Sequence, residues 1–260
     1  MTILVGIRCK DGIVVGTDSA ATFSAGPQLR TIEQPGVKKI AIVADRVIVA
    51  STGEVGLGQR FGQVVHNAHE QRLFMKDPIE VGRQLAALAV NDFASTKADR
   101  GSYGALVAFP AHSSFELCEF ATTNFQPELK RDIWYVSMGS GQPIADPCLG
   151  FIRQAFWADG APPSSEDGVF AVVWTLAQAI KLNPGGINAP MQVAMLTTRG
   201  GKPHARLLDA GEIAEHEANV EGAIEHLRQY RQKVRGAGAV EIPRVEEVGE
   251  GPLPARREPS

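Results

Sequence analysis

Thr2-Ile3-Leu4-Val5-Gly6-Ile7-Arg8-Cys9-Lys10-Asp11-Gly12-Ile13-Val14-Val15-Gly16-Thr17-Asp18 decides the fold. Two apolar runs flank Lys10-Asp11-Gly12, the composition of a tight hairpin. If Met1 is removed, Thr2 becomes the chain terminus. A terminal threonine carries a hydroxyl and a free amine, a nucleophile with its own base.

The register follows from the loop. A three-residue loop Lys10-Asp11-Gly12, with Gly12 left-handed, sets Cys9 opposite Ile13 and Thr2 opposite Ala20. Thr2, Leu4, Asp18 and Ala20 then share a face, and Thr2 and Asp18 are diagonal partners about 7–8 Å apart at the backbone. A two-residue Asp11-Gly12 loop would slip the pairing by one and send Asp18 to the opposite face. A Thr2–Asp18 site therefore requires the three-residue loop.

Working outward, Ser19 to Gly36 is rich in Ser, Thr, Gly and Pro and reads as a loop. Lys39–Val43 and Arg46–Thr52, joined by Ala44-Asp45, read as a second hairpin. From Val55 to Met75, Leu57, Phe61, Val64, Val65, Ala68 and Leu73 fall at helical spacing. Asp77-Pro78 starts a second helix, to Ser95, with Val81, Leu85, Leu88 and Phe93 inward. Tyr103–Phe109, Phe115–Phe120 and Asp132–Met138 read as strands. Pro143–Trp157 and Asp167–Leu182 read as helices, and Met191–Thr197 and His204–Leu207 as strands.

The order is strands, two helices, strands, two helices, strands. Tight turns between consecutive strands imply antiparallel sheets, and each helix pair needs a sheet face. The expected fold is α+β, a four-layer αββα sandwich of two antiparallel sheets flanked by helix pairs. One domain is expected over residues 1–208, an amphipathic helix over 209–235 with Ile213, Val220, Ile224, Leu227 and Val234 at heptad-like spacing, and a disordered tail over 236–260.

The chain of 260 residues is 44% hydrophobic and 21% charged with a net charge of −3, so nothing points to nucleic acid. The longest apolar run, Val169–Ile180, is too short to span a bilayer. Cys9, Cys118 and Cys148 form no CxxC pair, and no secretory signal is visible. The expected setting is a reducing cytoplasm.

These residues resemble a known family. Thr2 to Gly12, Gly16-Thr17-Asp18 and Thr22 look like the start of a mature proteasome β subunit. Gly36-Val37-Lys38-Lys39-Ile40 looks like its lysine strand, and Tyr103-Gly104-Ala105-Leu106-Val107 and Met138-Gly139-Ser140-Gly141 like later strand and loop segments. The resemblance covers roughly residues 2–207 and is most specific in the first 53. It implies an N-terminal-nucleophile hydrolase, of the kind found as self-contained bacterial barrels. Carried over, Thr2 matches the nucleophile, Asp18 and Lys39 its supporting residues, Gly53 the oxyanion glycine and Ser140 the serine beside the terminal amine. Ala20, Ala21 and Thr22 match the segment aligning the substrate strand; Val37, Ser51 and Val55 match positions lining a small apolar specificity pocket. The implied partners are a peptide or unfolded protein substrate and further copies in stacked rings, with no cofactor and no metal.

One departure stands out. The family usually has an Asp and a second Ser before the late strand, holding the terminal amine. Here Leu182-Asn183-Pro184-Gly185-Gly186-Ile187-Asn188 offers neither, and Asn183 at best takes the Asp position. Three readings follow: a threonine peptidase, a barrel subunit without hydrolytic function, and a small-molecule amidase of the same chemistry.

The chemistry holds together on the residues alone. A free α-amine, with a pKa near about 7.7–8.0, is partly neutral at working pH. A nearby Lys39 ammonium lowers that pKa, Asp18 keeps Lys39 charged, and Gly53 offers an N–H at a helix start. Taken singly, Thr2 is an ordinary second residue, Asp18 a turn residue, Lys39 an edge charge and Gly53 a turn glycine; their joint spacing carries the reading. His66, His69 and Glu70 lack the HExxH order and read as surface residues. Gly56, Gly58 and Gly62 do not make a phosphate loop, and the cysteines read as core.

Overall fold

The structure, a computed structural model, describes residues 2–24, 30–35, 37–98, 103–112, 114–157, 160–183 and 186–236. The strands are β1 (Leu4–Arg8), β2 (Gly12–Thr17), β3 (Ala20–Ser24), β4 (Arg30–Pro35), β5 (Ile40–Val43), β6 (Val47–Gly53), β7 (Tyr103–Ala111), β8 (Ser114–Phe120), β9 (Pro127–Leu129), β10 (Tyr135–Met138), β11 (Gln192–Arg199) and β12 (Lys202–Leu207). The helices are α1 (Val55–Glu70), α2 (Pro78–Ser95), α3 (Gln142–Phe156), α4 (Ser165–Leu182) and α5 (Ala210–Gly236).

Two five-stranded antiparallel sheets, β10-β1-β2-β11-β12 and β5-β6-β7-β8-β9, pack face to face. Leu4, Ile13, Val15, Ile48, Ala50, Leu106, Leu117 and Leu196 fill the layer between them. The α1–α2 pair covers the second sheet through Leu57, Phe61, Val65, Val81, Leu85 and Phe93. The α3–α4 pair covers the first; a Cβ on Gly16 would lie 2.3 Å from Val172 Cγ1 of α4. Alternation along the strands thus serves two cores at once, and the expected αββα sandwich is what the chain forms.

The hairpin register differs from the expected one. Leu4 pairs with Thr17 and Arg8 with Ile13, and the Cys9 N–H donates to the Gly12 carbonyl at 2.8 Å. The loop is therefore two residues, Lys10-Asp11. Tertiary contacts choose it. The Asp11 carboxylate accepts from the Ser165 N–H at 2.7 Å and the Ser165 hydroxyl at 2.9 Å, and the Lys10 N–H donates to Pro163 at 2.8 Å. Gly12 is inside β2 rather than left-handed; a Cβ there would sit 2.5 Å from the Leu196 carbonyl oxygen. Strict alternation in this register would send Asp18 away from Thr2, but β2 ends at Thr17. Asp18 lies past the last rung, where the pleat no longer dictates side-chain direction.

Other differences are local. The segment read as a loop over 19–36 holds the β3–β4 hairpin, with residues 25–29 and 36 outside the described set. The first helix stops at Glu70; Arg72 turns left-handed (φ 59°) and a 3-10 turn, Leu73–Met75, follows. Leu88 is 44% exposed rather than inward. The strand expected from Asp132 begins at Tyr135, and the three-residue edge strand β9 carried no readable periodicity.

The chain divides into two units, Met1–Glu221 and Gly222–Ser260. In the second, the described part is the end of α5, with Leu227 53% and Tyr230 61% exposed. The tail expected over 236–260 lies, beyond Gly236, outside the described residues. Among the described residues no helix is long and apolar enough to cross a membrane, and no group of three or more His, Cys, Asp or Glu could hold a metal ion.

Candidate active site

Thr2 lies just before β1 and is 9% exposed. The Lys39 Nζ stands 3.2 Å from its Oγ1 and 2.6 Å from Asp18 Oδ1. The lysine and aspartate side chains are 8% and 0% exposed. Each carboxylate oxygen of Asp18 also takes a backbone donor: Ile3 N–H at 3.1 Å on Oδ1, Ala20 N–H at 3.0 Å on Oδ2. Asp18 thereby ties the residue after Thr2, the start of β3 and the lysine together. A buried charge pair needs further hydrogen bonds to offset its desolvation, and here each carboxylate oxygen has a backbone donor.

Burial pulls the Lys39 ammonium below its usual range; the charge of Asp18 and its hydrogen bond oppose that pull. A buried ammonium 3.2 Å from a hydroxyl stabilises negative charge developing on that oxygen.

The Thr2 nitrogen donates to Ser140 Oγ at 3.1 Å. The Ser140 hydroxyl donates to the Thr2 carbonyl at 3.4 Å, and the Gly141 N–H to the same oxygen at 3.2 Å. Gly139, at φ 88°, makes this approach possible: a Cβ there would lie 2.4 Å from the Thr2 carbonyl oxygen and 3.1 Å from Thr52 Oγ1. Thr52 and Gly53 end β6 beside this loop, and Gly53 (φ 102°) passes the chain to α1. A left-handed backbone there suits glycine.

Thr2, Asp18, Lys39 and Ser140 are thus joined by direct hydrogen bonds, and Gly53 follows Thr52 at the edge of the same cluster. Ala20 is held by Asp18, and Ala21 and Thr22 continue into β3. Val37 donates its N–H to the Ser19 carbonyl at 3.0 Å, and Ser51 donates its N–H to the Lys39 carbonyl at 3.3 Å. Val55 opens α1 and is 52% exposed. A cavity of about 500 Å³ lies instead at the far end of β1, lined by Arg8, Lys10, Phe115 and Thr197 among others.

Two features escaped the sequence reading. Gln192, at the start of β11, reaches Ser19, Val37 and Lys39 with its carboxamide; no local motif announces a contact across 153 residues. The segment lacking the expected carboxylate contacts the site by backbone: the Asn188 carbonyl accepts the Ser19 N–H at 3.1 Å, while Asn183 caps α4.

A four-layer αββα sandwich with a threonine, a lysine and an aspartate converging at the start of the first strand defines the N-terminal-nucleophile class of fold. The family model described as Proteasome subunit matches residues 2–150, and the chain belongs to that family. Proteasome subunit beta of Archaeoglobus fulgidus is 30% identical over 95 residues, 35% of this chain and 42% of that relative. The chain thus matches less than half the length of that relative. Among solved structures, the Anbu (Gly-1) mutant from Hyphomicrobium sp. strain MC1 superimposes with a TM-score of 0.64 at 13% identity, covering 90% of this chain and 97% of that one. At that identity the likeness is one of fold.

Proposed function

We propose that the protein is a threonine-type peptidase that cuts peptide bonds through an acyl-enzyme on Thr2, within a ring of its own copies. The observation that carries this is the Lys39 Nζ bridging Thr2 Oγ1 at 3.2 Å and Asp18 Oδ1 at 2.6 Å in a buried setting. Once Met1 is removed, the Thr2 nitrogen is an amine beside its own hydroxyl. The amine takes the Oγ1 proton as Oγ1 attacks the scissile carbonyl carbon. The tetrahedral oxyanion is stabilised by a backbone N–H, for which Gly53 is the candidate. The protonated amine passes its proton to the leaving amine as the peptide C–N bond breaks; water, deprotonated by the same amine, then attacks the ester, and the amine returns that proton to Oγ1 as the C–Oγ1 bond breaks. Ser140 orients the amine, and Lys39 keeps its pKa low by like charge. Val37, Ser51 and Val55 are the proposed pocket wall, and Ala20, Ala21 and Thr22 the proposed edge along which the substrate strand lies.

Family membership supports assembly into oligomers, and the proposed substrate is a peptide or unfolded protein. A second reading, a barrel subunit without hydrolytic function, draws on one observation: residues 182–188 contain no carboxylate or hydroxyl to anchor the amine. Intact mass before and after treatment with a peptide epoxyketone separates the two. Loss of Met1 and a covalent adduct on Thr2 support the peptidase; retained Met1, or neither adduct nor peptide turnover, supports the scaffold.

A further inference from the structure

We infer that Gln192 is a positioning residue for Lys39, an inference that rests on the reading of Thr2 and Lys39 given above. Gln192 is the first residue of β11 and pairs with Thr17, the last residue of β2 before Asp18. Its Oε1 accepts the Lys39 N–H at 3.1 Å. Its Nε2 donates to Ser19 Oγ at 2.6 Å and to the Val37 carbonyl at 2.7 Å. A carboxamide offers two N–H donors and one carbonyl, and all three groups are engaged. The orientation is fixed by its partners: rotating the amide by half a turn would set Nε2 against the Lys39 N–H and Oε1 against the Val37 carbonyl.

The placement matters because Lys39 precedes β5, an edge strand. On one side its carbonyl is held by the Ser51 N–H at 3.3 Å. On the other the second sheet ends, and the Lys39 N–H finds its acceptor on the first sheet, in Gln192. The same side chain grips Ser19, which follows Asp18, and Val37, two residues before Lys39. Gln192 therefore holds in register the two segments that carry the Asp18–Lys39 ion pair. It also fixes the carbonyl of a residue proposed to line the specificity pocket. A lysine side chain is long and flexible, so the position of its Nζ depends on where its backbone is anchored. Misplacing a catalytic group by about 1 Å costs on the order of 10²-fold in rate.

The test compares wild type with Gln192→Leu, which loses all three bonds, and Gln192→Glu, which keeps the size and the Lys39 acceptor but loses both donors. Crystal structures give the Lys39 Nζ to Thr2 Oγ1 distance. A peptide epoxyketone gives the rate constant for labelling Thr2 against pH, and thermal melting gives the folded fraction. In Gln192→Leu the distance is expected to exceed hydrogen-bond range, about 3.5 Å. Labelling per folded protomer should fall roughly 10–100-fold, and the acid limb of the profile should move to higher pH, because an amine that loses a neighbouring ammonium binds its proton more tightly. Gln192→Glu should show the same changes to a smaller degree and serves where Gln192→Leu does not fold. A lowered melting temperature with Lys39 in place and an unchanged labelling profile would make Gln192 a structural residue only and overturn the inference. If wild type itself is not labelled, the reading of Thr2 falls, and the Lys39 distance alone decides for or against Gln192.

Discussion

Replacing Asp18 by Asn tests the electrostatics of the site most sharply. Asp18 is fully buried and accepts Lys39 Nζ at 2.6 Å, Ile3 N–H at 3.1 Å and Ala20 N–H at 3.0 Å. Asn removes the negative charge and turns one acceptor oxygen into a donor. One of the two backbone N–H groups then faces an N–H, at a cost of about 1–3 kcal/mol. Lys39 is left buried and uncompensated, which costs about 3–5 kcal/mol if it stays charged. It has an escape: neutralising a lysine of reference pKa about 10.4 costs about 4.6 kcal/mol at pH 7, at 1.36 kcal/mol per unit. That caps the charge penalty, so a loss of about 4–8 kcal/mol is expected at pH 7. The pH dependence carries the signature. A neutral lysine in the folded state binds one proton fewer than in the unfolded state, so stability rises with pH by about 1.4 kcal/mol per unit until the unfolded pKa, about 10.4, is reached. Wild type shows the same sign, because burial lowers the Lys39 pKa there too, but Asp18 opposes the shift and the rise begins at a higher pH. The assay is urea unfolding at fixed protomer concentration from pH 7 to 9.5, since assembly couples stability to concentration. A loss under about 1 kcal/mol with curves parallel across that range would refute the buried-pair account.

Thr2→Ala and Lys39→Ala should each abolish peptide turnover while sedimentation stays as in wild type; loss of assembly in both would reassign these residues to the scaffold. Gly139→Ala forces a Cβ to within 2.4 Å of the Thr2 carbonyl at φ 88°. It should cost about 1–3 kcal/mol of stability and slow Thr2 labelling more than tenfold; normal labelling would remove Gly139 from the account. Leu227→Asp with Tyr230→Asp, at two exposed apolar positions of α5, should lower the sedimenting mass if the helix contacts a neighbouring copy, and an unchanged profile would count against that contact.

The sandwich was legible because its elements are strongly periodic and separated by Gly- and Pro-rich turns. Leu57, Phe61, Val65, Val81, Leu85 and Phe93 announce one helix layer before any coordinates exist. The register of the first hairpin was not legible. Lys10-Asp11-Gly12 accommodates two loop lengths, and the choice is made by Ser165 and Pro163, far along the chain. The site survived that error because Asp18 lies beyond the ladder. Its four hydrogen-bonded members came from resemblance and spacing; Gln192 did not, because a glutamine at a strand start has no local pattern that points across a sandwich. Leu88 shows the converse limit, since helical spacing marks a face but not whether anything covers it.

The intact mass of the purified protein, before and after exposure to a peptide epoxyketone, bears most directly on the central claim. The account predicts a chain that lacks Met1 and gains one inhibitor equivalent on Thr2, with no gain in Lys39→Ala. A chain that keeps Met1 in its assembled form, or a processed chain that the inhibitor leaves untouched, would contradict it.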